Sequence, residues 1–118
     1  MHFEKQGLHI LSTLELNDSP WLTNCQGWLE IISHMISKHG LNEVGKTHYE
    51  FPNQSYTAAV CLKESHICIH TWPEYKRIYL DIYVCNLLTD NRTKAIQVYE
   101  EIIQLFDAKV IHESKIER

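Results

Sequence analysis

The apolar residues of this 118-residue chain follow two periods, one typical of helices and one typical of strands. They recur every three or four positions over residues 21–39, and again from Asp90 to Phe106, which predicts two amphipathic helices. Ser19 is placed to cap the first helix, with Pro20 at its first position, and Gly40 is placed to end it.

Shorter segments carry strand patterns. Apolar residues alternate with polar ones over residues 77–85, whereas residues 56–62 are almost continuously apolar, which predicts a strand buried on both faces. Further strands are predicted at residues 7–16, 43–51 and 108–112, and residues 113–118 are expected to form a frayed tail. The pattern predicts one α+β domain over residues 1–118, a two-layer sandwich whose mainly antiparallel sheet carries both helices on one face.

Composition narrows the class of protein. An apolar fraction of 44% and a charged fraction of 22% are typical of a soluble globular domain. The net charge of -4 argues against a nucleic-acid partner, and no apolar run approaches the roughly 20 residues of a membrane span. The four cysteines have no CxxC spacing, and we expect a cytoplasmic protein with reduced thiols.

Reactive side chains concentrate in residues 63–74, which read KESHICIHTWPE. An extended segment places His66, Cys68 and His70 on one face, so the stretch is either a half-buried strand or a functional site. Successive residues on one face lie about 7 Å apart. Zinc holds its ligands at about 2.0–2.3 Å, so these three residues cannot share one ion, and we predict no metal site.

The order of these residues is also specific. Glu-Ser-His at residues 64–66, followed by His-Thr-Trp-Pro-Glu at 70–74, resembles the self-cleavage segment of the small prokaryotic S-adenosylmethionine decarboxylases. Cys85, eleven residues beyond Glu74, resembles the catalytic cysteine of that family. The resemblance extends more weakly over the whole chain, in its length and in the order of its elements.

The resemblance implies that the chain makes its own cofactor. The Ser65 hydroxyl would attack the carbonyl carbon of Glu64 to form an ester, and elimination would then leave dehydroalanine, which hydrolyses to a pyruvoyl group. The chain would become two pieces, residues 1–64 and 65–118. A pyruvoyl carbonyl can form a Schiff base with a substrate amine, and it then accepts the electrons that a departing carboxylate leaves behind.

Further roles follow from the same resemblance. His70 would remove the α-proton of Ser65 during elimination, and Cys85 would protonate the decarboxylated carbon. The family's serine that assists processing is replaced here by Thr57, which retains a hydroxyl for that role. Phe51 matches an aromatic residue that stacks on adenine, and Glu74 matches a carboxylate that binds the ribose hydroxyls. Both of these residues are equally compatible with ordinary core or surface positions.

Two features depart from a simple transfer of the family pattern. A regular strand would point Ser65 and His70 to opposite faces, so a bend or bulge is expected between them. The family's usual glycines beside the site are replaced, in Lys76-Arg77-Ile78-Tyr79 and in Val84-Cys85-Asn86, which we expect to change the allowed backbone and the shape of the pocket.

The sequence therefore predicts a pyruvoyl-dependent S-adenosylmethionine decarboxylase, which supplies the aminopropyl donor for spermidine. Two alternatives remain open: decarboxylation of a basic amino acid such as ornithine or arginine, and a non-catalytic partner subunit. The family resemblance and the uncovered sheet face both favour a homodimer, with active sites near its interface.

Overall fold

Six strands form one antiparallel sheet in the order β2-β3-β4-β5-β1-β6, with two helices packed on it. The computed structural model describes residues 7–86 and 89–118, so residues 1–6 and 87–88 of the predicted domain lie outside the description. The elements are β1 (Leu8–Glu15), α1 (Cys25–Lys38), β2 (Glu43–Glu50), β3 (Tyr56–Leu62), β4 (His66–Trp72), β5 (Arg77–Val84), α2 (Arg92–Phe106) and β6 (Lys109–Glu117). The predicted α+β sandwich is confirmed.

The core lies between the two helices and one face of the sheet. Alternate residues of β1 point into it, and Ser12 on that face shares a 2.7 Å hydrogen bond with the buried hydroxyl of Tyr99 on α2. The helices contribute the apolar stripes predicted for them: Trp28, Leu29, Ile32 and Ile36 from α1, and Val98, Ile102 and Phe106 from α2. Neither α1, with 14 residues, nor α2, with 15, is long and apolar enough to cross a bilayer, and the same holds for the other helical turns that the structure describes.

No helix of residues 7–86 or 89–118 packs on the opposite face of the sheet, which we call the open face. The prediction that β3 is buried on both sides is wrong, because only its alternate residues from Tyr56 to Leu62 are buried. On the open face, Thr57 and Ala59 are partly exposed and Cys61 is exposed. These small side chains raise the apolar content of the segment without needing a covering layer.

The first helix starts later than its pattern predicts. Ser19 and Pro20 start a short 3₁₀ turn, Pro20–Leu22, and α1 begins only at Cys25, capped by the side chain of Asn24. The Asn24 cap was not predicted, because it lies within a continuous apolar period and closely follows the Ser19 cap. The end of the helix agrees with prediction, since Gly40 has the left-handed φ of +74° that favours glycine.

The C-terminal segment is a strand and not the predicted frayed tail. β6 runs to Glu117 and pairs with β1 along its length, from Lys109 opposite Glu15 to Glu117 opposite Leu8. Its residues are mostly polar and exposed, so the C-terminal part of this edge strand has no alternating pattern from which it could be predicted. Charged side chains are common on such strands because they discourage pairing with other chains.

Candidate active site

The Glu64–Ser65 bond lies in the tight turn that joins β3 to β4. The main chains of Leu62 and Ser65 hydrogen-bond to each other in both directions, at 2.9 and 3.4 Å, so Lys63 and Glu64 form a two-residue hairpin loop. Both loop residues are exposed, and the turn borders a cavity of about 260 Å³. The hairpin holds the main chain around this bond in a fixed shape.

Cys85 lies beside Ser65 although 20 residues separate them in sequence. It directly follows the last residue of β5, and its main-chain N–H donates to the Ser65 Oγ at 3.3 Å. Both side chains are half-buried. We call Glu64, Ser65 and Cys85 the Ser65 half-site.

A second group of predicted residues lies at the opposite end of β4. His70 is the cross-strand partner of Thr57, and its Nδ1 lies 2.9 Å from the Thr57 Oγ1. Both residues line a cavity of about 510 Å³, together with Phe51 and Glu74. This volume is in the range of small-molecule pockets. We call Phe51, Thr57, His70 and Glu74 the His70 half-site.

Asn53 organises the rim of that cavity and was missed by the sequence analysis. Its Oδ1 accepts hydrogen bonds from the main-chain N–H and the hydroxyl of Ser55, at 3.1 and 2.6 Å. Its Nδ2 donates to the Glu74 Oε2 at 3.3 Å. One amide therefore connects the β2–β3 turn to Glu74. An asparagine after a proline in a turn is the available sequence signal, because such side chains often bond to the main chain two residues on.

The two half-sites are far apart within one chain. β4 pairs with β3 and β5 without a register shift, so the bend expected between Ser65 and His70 is wrong. Ser65 directly precedes β4, and its main chain pairs with that of Leu62 in the turn. Five residues of extended chain span about 16 Å. A single chain therefore does not bring the Ser65 hydroxyl and the His70 imidazole together.

A third cluster lies on the open face, where ligand atoms of His9, His66 and Asp81 are all within 4.8 Å of one another. The Nε2 of His9 contacts the Asp81 carboxylate, and Arg118 donates to the Nδ1 of His9 at 3.0 Å. Both ring nitrogens of His9 are therefore engaged in hydrogen bonds. Cys68 is the cross-strand partner of Asp81, and burial, followed by the charge of Asp81, raises the pKa of its thiol.

The chain was compared with protein families and with solved structures. Residues 8–118 match the family model described as S-adenosylmethionine decarboxylase. The S-adenosylmethionine decarboxylase proenzymes of Picrophilus torridus and Aquifex aeolicus are 29% and 31% identical to it over 112 residues. These alignments cover 95% of this chain and 83% and 80% of the two relatives. The crystal structure of the Aquifex aeolicus adenosylmethionine decarboxylase matches with a TM-score of 0.78 and 26% identity, over 97% of this chain and 89% of that one.

Proposed function

The chain belongs to the S-adenosylmethionine decarboxylase family, and we propose that two copies of it together form each active site. As a member of this family, it is a pyruvoyl-dependent carboxy-lyase that acts on S-adenosylmethionine and serves polyamine biosynthesis. The observation that carries the two-copy arrangement is that β4 runs without a bend, so about 16 Å of extended chain separates Ser65 from His70. Each half-site is well formed, but each lacks the residues that the other holds.

The open face supports the arrangement. It carries half-buried and exposed side chains of four strands, including His70 and the exposed rings of Trp72 and Tyr79, with no helix above it. A two-fold axis through this face would place the Ser65 half-site of one copy beside the His70 half-site of the other. Burying these rings is favourable, which provides a driving force for pairing.

The residues present fit a pyruvoyl group made from Ser65. The hydroxyl lies one residue from the carbonyl that it must attack, in a hairpin that fixes both, and a thiol lies nearby. When present, the group supplies a carbonyl that accepts electrons as the substrate carboxylate leaves. It would begin the 65–118 piece, at the edge of the cavity beside the turn.

The other residues have roles in making the group and in using it. The Thr57–His70 pair of the second copy would remove the α-proton of residue 65, with the Thr57 hydroxyl fixing the orientation of the imidazole. The thiol of Cys85 would deliver a proton to the product carbon. Phe51 and Glu74 would hold the adenine and the ribose in the 510 Å³ cavity, with Asn53 fixing the Glu74 carboxylate.

Intact-mass analysis of freshly purified protein tests the self-cleavage at Ser65 that the proposed site performs. The wild-type chain should become two pieces, residues 1–64 and 65–118, whereas Ser65→Ala should remain one chain. Ser37→Ala, an exposed serine on α1, is the matched control and should cleave like the wild type. A wild-type chain that stays intact after long incubation would contradict the proposal and favour the non-catalytic alternative. Cytoplasmic location remains a prediction from the sequence.

A further inference from the structure

Asn91, at the start of α2, makes an unusual hydrogen bond for its position. Asn91 is the N-cap residue of α2, a position where an asparagine side chain normally accepts a hydrogen bond from the first helical turn. Here it makes no such bond. Its Nδ2 instead donates to the main-chain carbonyl of Cys85 at 2.9 Å. The Asp90 carboxylate accepts from the Arg92 N–H of the first turn at 3.0 Å instead. The Asn91 amide therefore holds the main chain beside the predicted proton donor.

A second asparagine completes the contact. The Oδ1 of Asn86 accepts from the main-chain N–H of Asn91 at 2.8 Å, and Thr89 donates to the Oδ1 of Asn91 at 3.1 Å. Asn86 and Asn91, which we call the asparagine clamp, thus tie the segment just after β5 to the start of α2. Cys85 lies in the clamped segment, and its N–H donates to the Ser65 Oγ.

We propose that Asn86 and Asn91 are positioning residues for self-cleavage, which aim the main-chain N–H of Cys85 at the Ser65 oxygen. The inference rests on the proposed function and assigns it two further residues. They act through Cys85 and do not touch the bond that is cut. The clamp is built from side chains that bond to main-chain atoms, so it fixes a direction of the backbone and leaves the thiol free for its own role.

The chemistry explains why this direction matters. In the elimination step, a base takes the α-proton of residue 65, and the electron pair of that bond forms the Cα–Cβ double bond. The Cβ–Oγ bond breaks, and Oγ leaves with its electron pair as one oxygen of the new Glu64 carboxylate. Negative charge therefore develops on the atom that the Cys85 N–H faces. A donor already aligned with that atom stabilises the charge without having to reorganise.

Asn91→Asp is the sharpest test, because it keeps the shape of the side chain and replaces the donor to the Cys85 carbonyl with a charged oxygen. A carboxylate at a helix N-terminus is favourable and offsets the lost hydrogen bond, so the melting temperature should change little. Self-cleavage, followed by intact mass after cell-free synthesis, should be about fivefold to tenfold slower. The uncleaved ester should accumulate, and hydroxylamine should cut it at the Glu64–Ser65 position.

A pair of variants at Asn86 separates positioning from folding. Asn86→Asp keeps the acceptor for the Asn91 N–H and should cleave faster than Asn86→Ala, which removes it. This pair also decides the question if Asn91→Asp fails to fold. If Asn91→Asp and Asn86→Ala both cleave at the wild-type rate, the clamp has no role in cleavage, while the proposed function stands. A wild-type chain that never cleaves instead contradicts the proposed function itself.

Discussion

At the scale of single residues, Cys85 carries two separable groups: a main-chain N–H on the Ser65 oxygen and a thiol assigned to turnover. Cys85→Ala keeps the first and loses the second. It should therefore self-cleave at the wild-type rate but decarboxylate about a hundredfold more slowly, the lower range for loss of a general acid. Assays of carbon dioxide release and of intact mass on one preparation measure both. Cys61→Ala, an exposed cysteine on β3, is the control, and normal turnover by Cys85→Ala would show that the donor is another group.

In the proposed site, Phe51 and Glu74 hold the substrate. A buried aromatic stack is worth about 0.5–1.5 kcal/mol, and a hydrogen bond to a charged group about 1.5–3 kcal/mol. Phe51→Ala and Glu74→Gln should each raise the KM for S-adenosylmethionine roughly tenfold without slowing self-cleavage. Tyr49→Ala is the matched control, since this exposed ring packs edge-on against Phe51 but does not line the cavity.

The same variants test the alternative substrates. Ornithine and arginine offer no ring to stack, so their turnover would tolerate Phe51→Ala and suffer only from Glu74→Gln. Release of carbon dioxide from carboxyl-labelled ornithine or arginine, with none from S-adenosylmethionine, would overturn the substrate assignment. It would leave the proposal of self-cleavage unaffected.

The sequence predicted the candidate site unevenly, for a physical reason. Ser65, His70 and Cys85 form a spaced motif whose chemistry is carried by residue type, so they could be identified without coordinates. Asn86 and Asn91 act through hydrogen bonds to main-chain atoms, which any of many polar residues could make at these positions. The absence of a bend between Ser65 and His70 was also unpredictable, because it depends on how β4 pairs with β3 and β5.

At the scale of the elements, the turn between β4 and β5 ends on a strained residue. Lys76 closes the Pro73–Tyr75 turn with a left-handed φ of 53° and ψ of 47°. The lysine therefore adopts a backbone conformation that glycine favours. For a residue with a side chain, this backbone conformation lowers the free energy of unfolding by about 1–2 kcal/mol.

Lys76→Gly should relieve this strain. Glycine recovers the conformational cost but loses about 0.5–1 kcal/mol of chain entropy, so the net gain in the free energy of unfolding should be about 0.5–1 kcal/mol. Urea denaturation of the cleavage-deficient Ser65→Ala chain measures it without interference from processing. Lys76→Ala retains the Cβ and should show no gain. Equal stabilities of the glycine and alanine variants would mean that the turn is unstrained.

The elements were predicted where periodicity reflects burial and missed where it does not. β1, β5 and both helices bury one stripe each, and their patterns identified them. A strand was predicted at residues 108–112, but β6 continues to Glu117 with almost nothing buried, so its extension depends on pairing with β1 from a distant part of the chain. Pairing between remote segments leaves no local signature in sequence.

At the scale of the whole molecule, the two-copy site makes a prediction that a one-copy site does not. A chain with Ser65→Ala and a chain with His70→Ala should each fail to cleave alone. Expressed together, they form mixed dimers with one complete site, in which the His70→Ala chain supplies Ser65 and the other supplies His70. The His70→Ala chain should therefore be cut in the mixture, as intact mass would detect. If it stays intact in mixed dimers that are shown to form, the site lies within one chain.

The place of the Glu64–Ser65 bond in the sheet also determines how the cleaved protein comes apart. Residues 1–64 contain β1, β2 and β3, and residues 65–118 contain β4, β5 and β6, yet the strand order interleaves them. Three of the five strand pairings in the described sheet, β3 with β4, β5 with β1 and β1 with β6, join one piece to the other. Cutting this bond, as proposed, would therefore convert refolding from a unimolecular reaction into a bimolecular one. The melting temperature of the processed enzyme should rise with protein concentration, because dilution favours separation of the two pieces of each chain. This effect adds to any dissociation of the dimer. Self-cleavage thus makes the chain an enzyme and, in the same step, makes its unfolding hard to reverse.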